Sequence, residues 1–105
     1  MDDLIEVIRK FRDDRNWKQF HTGGNLAKSL SIEASEVLQL FQWKDECDTT
    51  DDLKDEVADV MIYALLLCER YGFDPKEIIK RKLVKNEKKY PIDKAFGKSD
   101  KYNKL

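Results

Sequence analysis

Glu33 and Glu36 stand three residues apart in IEASEVLQLFQW, and Glu56 and Asp59 repeat that spacing in DEVADVMIYALLL. At 3.6 residues per turn, positions i and i+3 share a helix face. Each pair therefore sends two carboxylates in one direction from an otherwise apolar helix. If the two helices pack antiparallel, all four carboxylates converge. Burying such a set uncompensated is strongly unfavourable. A hard divalent cation removes that cost, and Mg²⁺, or Mn²⁺ in its place, suits an all-oxygen set better than iron or zinc does. Any single E-x-x-E is ordinarily solvated helix surface. Here the motif flanks an apolar stripe, recurs on two consecutive helices, and is followed on each by an aromatic, Trp43 and Tyr63. Together these features favour a metal site. A di-iron bundle needs Glu-x-x-His on its helices, and the one histidine, His21, lies outside both acidic segments.

Trp17, Trp43 and Tyr63 form a second group. A lone aromatic is usually core, but Trp17 and Trp43 sit in polar surroundings outside the apolar periodicity, and Tyr63 lies one turn beyond Asp59. Aromatics beside a Mg²⁺ site suit a nucleobase, whose stacking on a side chain contributes ~1–3 kcal/mol. Lys76, Lys80, Arg81, Lys82, Lys85, Lys88 and Lys89 crowd the last helical segment. Most of them belong to solvated surface, but Lys82 and Asn86 share a face and can reach polyphosphate oxygens. His21 reads as a structural or polar pocket residue rather than a general base.

Four helices have to position these groups. Residues 2–15 are amphipathic, with Leu4, Ile8, Phe11 and the less apolar Arg15 along one side. Glycines 23 and 24 then break the pattern, and Asn25 is the expected N-cap of a helix over residues 26–42. Its core face is Leu26, Leu30, Ala34, Val37 and Phe41. The polar loop KDECDTTDD leads to a third helix over 51–71, capped by Thr50, with Asp51 and Asp52 at the positive end of its dipole. Leu53, Val57, Val60, Met61, Ala64, Leu67, Cys68 and Tyr71 recur along it, and Gly72 ends it. Asp74-Pro75-Lys76-Glu77 has the pattern of a helix start. It opens a fourth helix over 75–89, with Ile78, Ile79, Leu83 and Val84 facing inward. Residues 91–105 carry no period and are expected to be irregular. The architecture is all-α, a four-helix bundle in one domain over 1–105.

Composition narrows the class. A chain of 105 residues buries only a modest share of its surface, which favours oligomerisation. Twenty-one acidic residues nearly cancel twenty basic ones, against a general nucleic-acid coat, although the last third is Lys-rich. Cys47 and Cys68 have neither CxxC spacing nor a Cys/His partner set, which suits a reducing cytoplasm. The N-terminal MDDLIEVIRKF lacks the features of a signal peptide. The run VMIYALLLC is far shorter than the ~20 residues of a membrane span.

The acidic pairs resemble the signature of the MazG-like, all-α nucleoside triphosphate pyrophosphohydrolases. The segments RNWKQFHTGGNL, LFQW at 40–43, DEVADVMIY, KLVKNEKKYP and the terminal KYNKL are similar to the dCTP pyrophosphatase branch of that family. The resemblance implies hydrolysis of a (deoxy)nucleoside triphosphate, dCTP or a modified pyrimidine nucleotide, to its monophosphate and pyrophosphate. It implies Mg²⁺ on Glu33, Glu36, Glu56 and Asp59, and a base and sugar pocket of Trp17, Trp43 and Tyr63. Lys82 and Asn86 match positions near the phosphates. Family members assemble as dimers or dimers of dimers, with sites completed by a neighbouring subunit. Two positions depart from the branch: Ile8 replaces a histidine nine residues before the pocket tryptophan, and Gly24 replaces an arginine before Asn-Leu. Both bear on base preference.

Glu36 is the candidate to orient or deprotonate the attacking water. The rival readings are a non-catalytic helical interaction module using the basic fourth helix, whose binding is salt-dependent and metal-independent, and phosphoribosyl-ATP pyrophosphohydrolase. The tryptophans and the LFQW segment speak against the latter by resemblance.

Overall fold

The computed structural model describes residues 2–104. Met1, at the start of the acidic N-terminal segment, and Leu105, the last residue of KYNKL, lie outside the described residues. The described chain is all-α. It runs through α1 (Asp2–Asp14), a 3₁₀ turn (Lys18–Phe20), α2 (Gly23–Gln39), α3 (Thr50–Tyr71), α4 (Pro75–Lys89), the single turn α5 (Ile92–Ala95) and a second 3₁₀ turn (Tyr102–Lys104). The four long helices are those expected from the periodicity. The tail holds two short turns where irregular chain was expected. The chain divides into two compact units, 1–73 and 74–105.

In the first unit α1 ends where Asn16 takes a left-handed conformation, φ 55°, which a short polar side chain tolerates. The Trp17 amide then donates back to the Arg12 carbonyl at 3.1 Å. That reversal sets the Trp17 ring edge-on to Phe11, with centroids 5.8 Å apart.

The start of α2 differs from the sequence expectation. Thr22 is the cap, its hydroxyl accepting from the Asn25 amide at 3.1 Å, and the two glycines form the first helical positions. Asn25 instead donates its side-chain amide to the Phe20 carbonyl at 2.9 Å, tying the preceding turn to the helix. At the other end α2 tightens: Leu40, Phe41 and Gln42 donate to Val37, Leu38 and Gln39, so i→i−3 bonding carries the chain toward Trp43. α3 begins at Thr50 after Thr49, which makes no side-chain capping bond. It closes as expected, with Gly72 left-handed at φ 69°. The Phe73 amide reaches the Cys68 carbonyl at 2.9 Å, the 6→1 bond of a Schellman ending.

α2 and α3 run antiparallel. Gly23 lies against the Tyr71 ring at one end, while Glu33 meets Asp59 and Glu36 meets Glu56 further along. α1 meets α3 as well. The residues sealed among these helices are Leu26, Leu65, Leu66 and, unexpectedly, Arg12. Leu26 belongs to the expected face. Leu65 and Leu66 do not, because the VMIYALLLC stretch of α3 is apolar all round and two neighbours select the strip between them. Ala34, Val57, Met61 and Tyr71, expected inside, are exposed.

In the second unit Asp74 caps α4 by accepting from the Lys76 amide at 3.0 Å, with Pro75 at the first helical position. Ile78, Ile79, Leu83 and Val84, expected to face inward, are all exposed.

Candidate active site

The antiparallel register of α2 and α3 turns two i, i+3 pairs into one cluster. Glu33, Glu56 and Asp59 each offer a carboxylate oxygen, and the three lie within 4.8 Å of one another. Glu36 stands beside them, close enough to Glu33 and to Glu56 for a carboxyl–carboxylate hydrogen bond. One oxygen of Glu33 and one of Glu56 (Oε2 in each) are buried with no hydrogen-bond partner among the described residues. Buried acceptors are rarely left so. No lysine or arginine is ion-paired with any of the four among the described residues.

The charges answer to this crowding. The Glu56 carboxyl is pushed up to about 7, chiefly by its hydrogen bond with Glu36, then by burial and by the charges of Glu36, Asp59 and Glu33. Glu33 is raised by burial first, then by Glu36 and Asp59. Such a cluster is stable at neutral pH when it keeps protons or gains a cation. Ligands on opposite sides of an octahedral Mg²⁺ stand about 4.2 Å apart. The cluster spacing and its oxygen-only donors therefore fit a hard divalent ion.

Asp59 also borders an apolar groove of about 550 Å³ between α1 and α3. Trp17 and Tyr63 line it together with Ile8, Phe11, Met61 and Ile62. The structure thus brings Trp17, Tyr63 and one member of the acidic cluster, Asp59, to one depression, and places Ile8 on its wall. Arg15 lies over the Phe11 ring at 3.7 Å and donates to the Phe11 carbonyl at 2.9 Å. It is thus a stacking group rather than part of the apolar side of α1. Trp43 does not line this groove; it follows α2 with 88% of its surface exposed. Lys82 and Asn86 are one turn apart on α4 in the second unit, Lys82 exposed and Asn86 half-buried.

His21 is half-buried, with a buried, unpartnered Nδ1. Its pKa is lowered by burial and then by the Arg12 charge, both of which favour the neutral imidazole. This fits a structural or pocket role better than that of a base. The sequence reading missed Arg12. Only 4% exposed, it bonds Glu69 at 2.7 Å and Asp13 at 2.9 Å, joining α1 to α3. The signal was present: Ile5, Ile8 and Arg12 keep an i, i+3, i+7 register, as do Ile62, Leu65 and Glu69. A basic and an acidic residue at core positions of two helices mark a buried pair.

The MazG-like family model matches residues 28–105, which carry all four carboxylates. This chain belongs to the MazG-like family. A pyrophosphatase of Archaeoglobus fulgidus has a crystal structure that superposes with a TM-score of 0.81 at 43% sequence identity, covering 87% of this chain and 92% of that one. The chain is 31% identical to dCTP pyrophosphatase 1 of Homo sapiens and 30% to that of Mus musculus, over 100% of its own length and 67% of theirs. No helix among the described residues is long and apolar enough to cross a membrane.

Proposed function

We propose that this MazG-like protein hydrolyses a pyrimidine (deoxy)nucleoside triphosphate, dCTP or a modified relative, to the monophosphate and pyrophosphate in nucleotide-pool cleaning. The reaction class is that of a nucleoside triphosphate pyrophosphohydrolase. Glu33, Glu56 and Asp59, with Glu36 beside them, hold a divalent cation, Mg²⁺ or Mn²⁺. When bound, the cation offsets the negative charge of the triphosphate and acidifies a water molecule. Glu36, outside the tight triad, would orient the attacking water and take its proton on a carboxylate oxygen. Trp17 and Tyr63 hold the base in the groove at the Asp59 end. Trp43 is exposed in a single chain and contributes across a subunit contact in a dimer or a dimer of dimers. Lys82 and Asn86 are assigned to the phosphates on family resemblance. Ile8, on the groove wall, gives the base no hydrogen bond, so any cytosine preference rests on other groups.

One observation carries the metal reading: two buried carboxylate oxygens left without partners inside a four-acid cluster. Glu36→Gln and Asp59→Asn should each lower turnover by about a hundredfold or more, the scale of a lost catalytic group, with helical circular dichroism unchanged. Near-normal rates in both would remove the reading. A panel of NTPs and dNTPs, with and without Mg²⁺, separates pyrophosphate from orthophosphate release. Pyrophosphate from one pyrimidine deoxynucleotide supports the dCTP-like assignment, whereas release across many modified bases replaces it with broad house-cleaning. Salt-sensitive binding of an acidic partner without turnover would leave the interaction-module alternative.

A further inference from the structure

A second, smaller cavity lies behind the groove wall. It measures about 140 Å³ and is lined by Arg12, Lys18, His21, Leu26, Leu66, Glu69 and Arg70. None of the four clustered carboxylates borders it. Arg12, His21 and Leu66 face both spaces, so they form the partition between groove and cavity.

The cavity is electropositive. Three cations, Arg12, Lys18 and Arg70, share it with one carboxylate, Glu69, which Arg12 already holds at 2.7 Å and Arg9 approaches at 3.4 Å. Lys18 and Arg70 make no ion pair among the described residues. Arg12 spends Nε on Asp13 and Nη1 on Glu69, and among the described residues Nη2 has no acceptor. His21 follows from the same 3₁₀ turn as Lys18, whose carbonyl accepts the His21 amide at 3.0 Å, and its buried Nδ1 has no partner. The His21 pKa is lowered first by burial and then by the Arg12 charge beside it. The volume admits about four or five waters at ~30 Å³ each. It is well below the ~300 Å³ at which ordinary ligand pockets begin. A compact anion with several acceptor oxygens fits both the size and the donors; a nucleoside does not.

We propose that this cavity is a binding site for a phosphate-class oxyanion, held by Arg12, Lys18, His21 and Arg70 and separate from the carboxylate cluster. Either free orthophosphate or released pyrophosphate supplies that chemistry. Because Arg12 and His21 also wall the groove, occupancy of the cavity is felt there. Binding needs neither metal nor nucleotide, so its test stands apart from the hydrolytic reading.

The single histidine makes the measurement specific. Orthophosphate is titrated into metal-free protein at constant ionic strength while the His21 imidazole signals are followed by NMR. The expected result is a saturable shift with a Kd on the order of 1 mM. Lys18 and Arg70 are exposed, so Lys18→Gln/Arg70→Gln should keep the fold and weaken binding by about tenfold or more, as loss of charge-assisted contacts does. Lys54→Gln, at an exposed position of α3 outside the cavity lining, should leave it unchanged. Tighter binding of pyrophosphate names the product as occupant, and equal or weaker binding names orthophosphate. A linear shift reproduced by chloride, an affinity indifferent to the double substitution, or a shift abolished by Lys54→Gln would each overturn the proposal.

Discussion

Glu56 carries the most informative proton in the molecule. Its folded pKa of about 7 stands above the ordinary carboxyl value near 4.5. Between those values the folded state keeps a proton that the unfolded chain has released. The corresponding stability is therefore fully present below about 4.5 and is lost as pH rises through 7. Glu33 is displaced in the same direction. In chelator, the melting temperature should fall between pH 5 and pH 8. Added Mg²⁺ should raise it at pH 8, where the cluster is charged, and do little at pH 5, where protons occupy it. A chelated protein with a flat profile and no response to Mg²⁺ at pH 8 would mean that the four acids do not act as a cluster. These acids were legible in the sequence because i, i+3 spacing fixes their direction whatever the helix packs against. Arg12 was not, because a charged residue is read as surface until the helix beside it is known.

Helix existence followed from periodicity, but helix starts did not follow from glycine content. Gly23 and Gly24 look like a break, yet Thr22 overrides them by supplying a cap to the Asn25 amide. The two glycines differ in what surrounds them. A Cβ on Gly24 would meet nothing within 4 Å, whereas one on Gly23 would fall 2.0 Å from the Tyr71 hydroxyl. Gly24→Ala should therefore stabilise the protein by about 0.5–1 kcal/mol, by removing unfolded-state freedom from a helical position. Gly23→Ala should be the less stable of the two, since Tyr71 must leave its stack on Phe73. Urea midpoints compare them directly. The α1–α3 junction is a harsher test. Glu69→Ala strands the buried Arg12 guanidinium with only Asp13, and should cost about 3 kcal/mol, the lower end for breaking a buried pair. A loss under 1 kcal/mol would mean that water already reaches Arg12. The strip that seals these helices was less legible, since any face of VMIYALLLC satisfies an apolar pattern and only the two neighbours choose Leu65 and Leu66.

At the scale of the whole molecule, α1 and α3 leave an apolar face exposed. Val7 is 66% exposed and Phe11 52%, and Met61 at 56% lies on the same groove. A continuous apolar depression of this kind marks an interaction surface, and a chain of this length gains much from covering it. The surface suits a second copy, because one two-fold axis lets each chain cover the other with the same residues. Light scattering coupled to size exclusion should therefore give at least twice the chain mass at micromolar concentration. Val7→Asp separates the possibilities cleanly. On an isolated chain an aspartate at so exposed a position is nearly neutral for folding, whereas in a closed interface it is a buried, unpaired charge. The variant should run at the monomer mass with its helices intact, and loss of the proposed Trp43 contribution to a neighbour's groove should lower its turnover. A wild-type monomer, or a Val7→Asp protein that still associates, would remove this face from the assembly and leave Trp43 without a part in binding the base.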